Sequence, residues 1–130
     1  MQHEAAEQKH LFEWAGYMTG KYPELALMFH IPNGGSRNRI EAAHLKAQGV
    51  KAGVPDICLP VPSGKRHGLY IELKYGKNKP TAAQMCWLRN LEKQGYAVAI
   101  CWGWKKAAEV ILSYLLQEKR PKGDNNDENK

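Results

Sequence analysis

PDICLPVPSGKRHGLYIELK, residues 55–74, reads as two short strands joined by a turn. Asp56 to Val61 and Leu69 to Lys74 are apolar and β-prone, and the Pro62-to-Gly68 segment between them has the Pro, Ser and Gly content of a chain reversal. An antiparallel pair follows. In its second strand residues two apart share a face, so Glu72 and Lys74 project together while Leu69, Ile71 and Leu73 point to the opposite, core side. Asp56 opens the first strand directly after Pro55, and antiparallel pairing can bring it beside Glu72 although 16 residues separate them.

Outward from this pair the chain alternates between helix and strand signals. Leu11, Trp14, Ala15 and Met18 recur at helical spacing and predict an amphipathic helix over residues 3–20, ended by Gly20. Leu25 to Ile31 is a short apolar run stopped by Pro32-Asn-Gly-Gly, which predicts a strand and then a loop. Ser36 is placed to cap a second helix from Arg37 to about Gln48, closed by Gly49. Thr81-Ala-Ala-Gln84 is a capping box that opens a helix to about Gln94, and capping alone accounts for Gln84. A near-continuous apolar strand, Ala97 to Trp102, and a helix from Trp104 to Gln117 complete the order α-β-α-β-β-α-β-α. The expected fold is therefore α/β, one mixed sheet of about four strands flanked by helices.

Length and charge narrow the class. With 130 residues, 43% of them hydrophobic, the chain can bury one core and has little room for a second. Residues 118–130 carry four basic and four acidic side chains and almost nothing apolar, so a folded unit over 1–117 and a disordered polar tail are expected. The net charge of +6 therefore belongs to residues 1–117. Residues 37–79 alone hold nine basic groups against three acidic ones, which makes a polyanion a plausible partner. No apolar run approaches the roughly 20 residues of a membrane helix, and the amino terminus has neither the basic start nor the apolar stretch of a secretory signal. A soluble, intracellular, cytoplasmic protein is expected. Cys58, Cys86 and Cys101 are odd in number and lack Cys-x-x-Cys spacing, so they read as reduced core residues.

Two carboxylates at one point call for a cation. Oxygen ligands suit Mg²⁺ or Mn²⁺, and such an ion can polarise a phosphodiester oxygen and lower the pKa of a bound water. Lys74 would hold or help deprotonate that water, or neutralise developing charge. The first helix offers a third acid. Taking Leu11 as the centre of its apolar stripe, Glu4 falls at about 20° and Glu7 at about −40°, whereas Glu13 faces solvent. Glu4 is nearer the centre, with Glu7 as the alternative.

These residues resemble a known family. The stretch from Gly49 to Ile57, followed by Tyr70-Ile-Glu72-Leu-Lys74, is similar to the Asp and Glu-x-Lys motif of the PD-(D/E)XK nuclease superfamily, and more closely to its VRR-NUC branch, the virus-type replication and repair nucleases. The resemblance extends to Glu4-x-x-x-Gln8, the loop from His30 to Gly35, and Gln84, covering roughly residues 4 to 115. It implies a restriction-endonuclease-like fold and a Mg²⁺- or Mn²⁺-dependent endodeoxyribonuclease with Asp56, Glu72, Lys74 and Glu4 as catalytic residues. Asp56, Glu72 and the Leu73 main-chain carbonyl would hold the metal. It further implies a homodimer acting on branched or Holliday-junction DNA in repair, recombination or replication. A basic module that keeps the fold but not the chemistry would tolerate loss of an acid; here Asp56, Glu72 and Lys74 stand together.

Residues placed to grip phosphate are Asn33 and Arg37, in and after the glycine loop, Arg39, Lys51, and Lys77 and Lys79 directly after the Glu-x-Lys strand. His30, alone at a strand end, reads as a hydrogen-bonding residue rather than a base. Trp102, Trp104, Tyr114 and the leucines of the last helix exceed what one small core readily hides, which is material for a dimer interface.

Overall fold

The computed structural model describes residues 2–32 and 38–117. The order of elements is α1 (Gln2–Met18), a 3-10 helix (Pro23–Leu27), β1 (Phe29–His30), α2 (Arg39–Ala47), β2 (Ile57–Leu59), β3 (Leu69–Lys74), α3 (Ala82–Lys93), β4 (Ala97–Trp102) and α4 (Trp104–Leu116). The four strands lie in that order in one sheet. β1 with β2 and β2 with β3 are antiparallel, and β3 with β4 is parallel. This is the open mixed sheet flanked by helices expected of a restriction-endonuclease-like domain.

The core lies where α1 and α4 pack on each other and on β3. Leu11 and Ala15 from α1 meet Ile57 and Leu59 from β2, Leu69, Ile71 and Leu73 from β3, and Ala107, Ile111 and Leu115 from α4. A fully buried leucine or isoleucine contributes roughly 1.5–3 kcal/mol relative to exposure, so β3 is the best-anchored strand of the sheet. α3 packs on β4 and opens with the Thr81/Gln84 capping box formed in both directions. In front of β2, Gly53 sits at φ +89°, and a Cβ there would lie 2.9 Å from Ala83, so only glycine lets this loop press against α3. The Trp87 indole N–H ties the same loop down by donating to the Ala52 carbonyl at 3.0 Å.

Several local expectations need correction. The apolar run from Leu25 is not one strand, because Pro23 opens a 3-10 helix that carries the chain to Leu27 before the two-residue β1 begins. The second helix starts at Arg39, two residues later than expected. Its cap is Asn38, whose side chain accepts the Glu41 N–H at 2.7 Å. Ser36 and Arg37 lie outside the described residues, as does the tail over 118–130. Cys58 and Cys101 are buried and free, but Cys86 is exposed on α3. Tyr114 is core rather than interface: it is 4% exposed and donates its hydroxyl to the Val61 carbonyl.

Candidate active site

The ladder between β2 and β3 pairs Ile57 with Ile71, Cys58 with Tyr70 and Leu59 with Leu69. One further step in that register sets Asp56 opposite Glu72, and directly opposed residues project on the same face. Two strands hold Asp56 in place. The Leu73 N–H donates to Asp56 Oδ2 at 2.9 Å. Just past β1, the Ile31 N–H donates to the Asp56 carbonyl at 2.7 Å. His30 Nδ1 lies 2.9 Å from that same oxygen, and because a carbonyl only accepts, Nδ1 carries the hydrogen.

Glu72 and Lys74 are both buried, so β3 is covered on its charged face as well as its apolar one. Lys74 Nζ lies 3.6 Å from Glu72 Oε2, while Glu72 Oε1 is buried with no hydrogen-bond partner. Leaving such an acceptor unsatisfied costs on the order of 1–3 kcal/mol, and more if it is charged. Burial pushes the Glu72 carboxyl up to about 8; repulsion from Asp56 adds to the shift, and Lys74 opposes it. Burial likewise raises Asp56, against the pull of the Leu73 N–H, its contact with Glu72, and His30. With both acids ionised the site holds two negative charges, one buried on Glu72 and one half-buried on Asp56, against one ammonium. That excess negative charge is what a cation would offset.

Among the described residues no three His, Cys, Asp or Glu side chains gather as a metal-binding group. The side-chain donors brought together are the two carboxylates, Asp56 and Glu72. They fit a hard divalent ion, since both offer oxygen and Glu72 Oε1 is an open acceptor.

The two acids of α1 go to different places. Glu7 Oε1 accepts the Trp104 N–H at 2.8 Å and so caps α4, which begins after Gly103 and has no capping side chain of its own. Glu4 reaches the loop after β3, where its Oε2 accepts from Asn78 Nδ2 at 3.1 Å, and its charge is felt at Asp56. That loop is held twice more. His3 stacks on Tyr75 at 4.7 Å, and the Trp102 indole N–H donates to the Asn78 carbonyl at 2.8 Å. Sequence reasoning missed the parts played by Asn78, Tyr75 and Trp102. A Gly-Lys-Asn-Lys-Pro run signals only a turn. Glu7's role had a usable signal, namely a helix that starts at a glycine and needs an acceptor from elsewhere.

Of the expected phosphate contacts, Arg39 opens α2, Lys51 lies in the loop before β2, and Lys77 and Lys79 lie in the clamped loop after β3; all four are exposed. Asn33 and Arg37 lie outside the described residues.

The sequence matches the VRR-NUC domain over residues 3–104. The chain belongs to the VRR-NUC family. A solved structure described as a VRR_NUC domain protein is similar to it, with 31% identity and a TM-score of 0.76 over 88% of each chain. A search of curated proteins found no match. VRR-NUC membership makes the protein one of a nuclease family, with DNA as the implied substrate and metal dependence as the family's usual condition. The VRR-NUC match spans α1 to the first residue of α4, and so includes Glu4, Asp56, Glu72 and Lys74. No helix among the described residues is long and apolar enough to cross a membrane.

Proposed function

We propose that this VRR-NUC protein is a Mg²⁺- or Mn²⁺-dependent endodeoxyribonuclease that nicks branched DNA, with Asp56, Glu72, Lys74 and Glu4 as its catalytic residues. The observation that carries the reading is the opposition of half-buried Asp56 and buried Glu72, with Glu72 Oε1 unpartnered and buried Lys74 beside Glu72. A structural ion pair would need one acid for one lysine. The second acid, brought in by register and oriented by the Leu73 N–H, is unexplained by folding alone.

In this reading Asp56, Glu72 and the Leu73 carbonyl hold the divalent ion. Once bound, that ion supplies Lewis-acid polarisation of the scissile phosphate and a more acidic water. Lys74 stands where an ammonium can orient the attacking water or offset charge developing on the phosphate oxygens. Because its own nitrogen is buried against Glu72, it is held in one geometry, so little reorganisation accompanies the reaction. Glu4, tied to Asn78, adds negative charge at the rim facing Asp56. Arg39, Lys51, Lys77 and Lys79, with Asn33 and Arg37, bind backbone phosphates without reading bases. The protein acts as a homodimer, since one chain carries one such site and resolving a four-way junction takes two cuts.

The test is a panel of four-way junctions, flaps, splayed arms and linear duplex incubated with Mg²⁺, with Mn²⁺ and with a chelator. The expected result is ion-dependent nicking near branch points. Cleavage that persists in chelator, or full activity of Glu72→Ala, would overturn the assignment.

A further inference from the structure

Tyr75 follows Lys74 directly, one peptide unit and about 3.8 Å of backbone beyond it. It is 38% exposed, and its ring centre lies 4.7 Å from that of His3, with the two planes 16° apart. His3, in the first turn of α1, is exposed as well, and neither ring belongs to the apolar core. Each ring has one face turned away from the other, so the pair is a short aromatic stack that a third flat ring can extend.

Folding alone gives little reason for this stack. The loop that Tyr75 opens is already tied to α1 by Glu4 on Asn78, and to β4 by the Trp102 indole N–H on the Asn78 carbonyl. A surface contact made only for burial needs no π-face. The same ties hold Tyr75, Lys77 and Lys79 in place together, and both lysines are exposed. Residues 75–79 therefore offer one aromatic ring and two ammonium groups beside Lys74. That is the composition of a surface for single-stranded nucleic acid, with cations on the phosphates and rings under the bases. A base is uncharged, so the nearby Glu4 carboxylate, which repels a phosphate, is no obstacle to it.

We infer that the stacked rings of Tyr75 and His3, set beside Lys74 in the loop that carries Lys77 and Lys79, are a platform for one unpaired nucleobase of the DNA strand at the active site. The inference rests on the nuclease reading above and adds the source of its preference for branched DNA. A base in continuous duplex must break its pairing and stacking to reach the platform, whereas a base at a branch or flap is already free. Every base has a π-face, so the selection is for DNA structure and not for sequence.

Fluorescence anisotropy of the full chain with labelled splayed-arm DNA, in chelator, reads binding apart from cleavage. An abasic residue is stepped through the unpaired nucleotides next to the branch. One position is expected to weaken binding about tenfold, within the range for loss of one base–aromatic stack. Tyr75→Ala should weaken binding to intact DNA by a similar factor and add nothing further on that abasic strand, because both changes remove the same contact. Tyr75→Phe should bind like the wild type and Tyr75→Leu like Tyr75→Ala, a comparison that separates stacking from burial even if the alanine variant loosens the loop. Fully additive losses, the lack of any sensitive abasic position, or a Tyr75→Leu protein that binds like the wild type would each overturn the platform. None of these outcomes depends on cutting. A protein that nicks branched DNA in Mg²⁺ but shows additive losses keeps the nuclease reading and loses the platform, and one that passes the cycle yet never cuts does the reverse.

Discussion

Strand β3 and helix α2 lie on either side of Asp56 in the chain and are built by opposite means. Every residue of β3 except Tyr70 is buried, and its two charged side chains are buried with the rest. No residue of α2 is buried, and Ile40 stands 70% exposed. α2 is formed by local devices instead: the Asn38 cap, Glu41 in its first turn, His44 and Lys46 in its last, and Gly49 at φ +106° just beyond it. Charge held inside a packed strand has a fixed position and an altered proton affinity. Charge on an unpacked helix keeps its hydration and can move to meet a phosphate backbone. In the proposed function, chemistry therefore belongs to β3 and phosphate contact to α2.

The largest expected effects are on β3 and on Asp56, the acid set opposite it. Asp56→Ala or Glu72→Ala should reduce nicking to background while circular dichroism stays unchanged, since neither side chain belongs to the apolar core. Lys74→Ala should keep ion binding, followed by calorimetry, and lose roughly 10²–10³-fold in rate, the size of effect seen on deleting one group that stabilises transition-state charge. Loss of ion binding in Lys74→Ala would break the division of labour between the acids and the lysine.

Stability should divide the same way. Ile71→Ala, at a core position that is 1% exposed, should cost about 2–5 kcal/mol in urea denaturation, whereas Ile40→Ala on α2 should stay within about 0.5 kcal/mol. Comparable losses at the two positions would mean that α2 has a packing partner.

The contrast also explains what was legible in the sequence. β2 and β3 were readable because period-2 alternation, Pro55 and a turn of Pro, Ser and Gly all gave one answer, and the register then brought Asp56 to Glu72 with no further information. α3 was readable from its capping box. The run after Pro23 was not, because a few apolar residues fit a strand and a turn of helix equally well, and only the ring of Pro23 favoured the latter. The start of α2 was misjudged because Ser36 and Asn38 are both good caps and no packed stripe decides between them. Glu4 and Glu7 share one face of α1, so they could be told apart only once α4 arrived in space to be capped by Glu7. Buried Tyr114 and exposed Cys86 likewise depended on which helix faces met the sheet.

Buried Glu72 and half-buried Asp56 predict a pH dependence of stability. The Glu72 carboxyl ordinarily titrates near 4.5 and is pushed up to about 8 in the folded chain, chiefly by burial. A folded value above the unfolded one means that the group's contribution is fully present below about 4.5 and is lost as pH rises through about 8. Asp56 is raised too, so it acts with the same sign. Melting of the ion-free protein should therefore fall by several degrees across that window, roughly the shift that 1–2 kcal/mol produces in a chain of this size. Glu72→Gln should flatten the fall, and added Mg²⁺ should offset it by replacing the proton. A flat profile in the wild type would mean that Glu72 is not confined as the geometry indicates.

Smaller effects belong to the contact residues. Neutralising Arg39, Lys51, Lys77 or Lys79 singly should leave nicking at saturating protein nearly unchanged. Each should flatten the slope of log affinity against log salt for duplex arms by about 0.9, the value for one phosphate contact. Lys77 and Lys79 sit in the loop held by His3, Glu4 and Trp102, while Arg39 sits on α2, so equal slopes from both regions would show that a fixed loop and an unpacked helix contribute alike.

The smallest effect concerns α2 itself. A nine-residue helix is below the length that sustains itself in water, so its population depends on its ends. Asn38→Ala removes the acceptor of the Glu41 N–H and should cost about 1 kcal/mol of local helix stability. Because no α2 residue is buried, that loss has no route into the core, and global melting should not change. Hydrogen exchange separates the two scales. The amides of Ala42 to Ala47 should exchange several-fold faster in Asn38→Ala, while those of Ile71 and Leu73 keep the rate set by global unfolding. Faster exchange in β3 as well would tie α2 to the strand that carries the acids, and the separation between chemistry and contact would fail at its weakest joint.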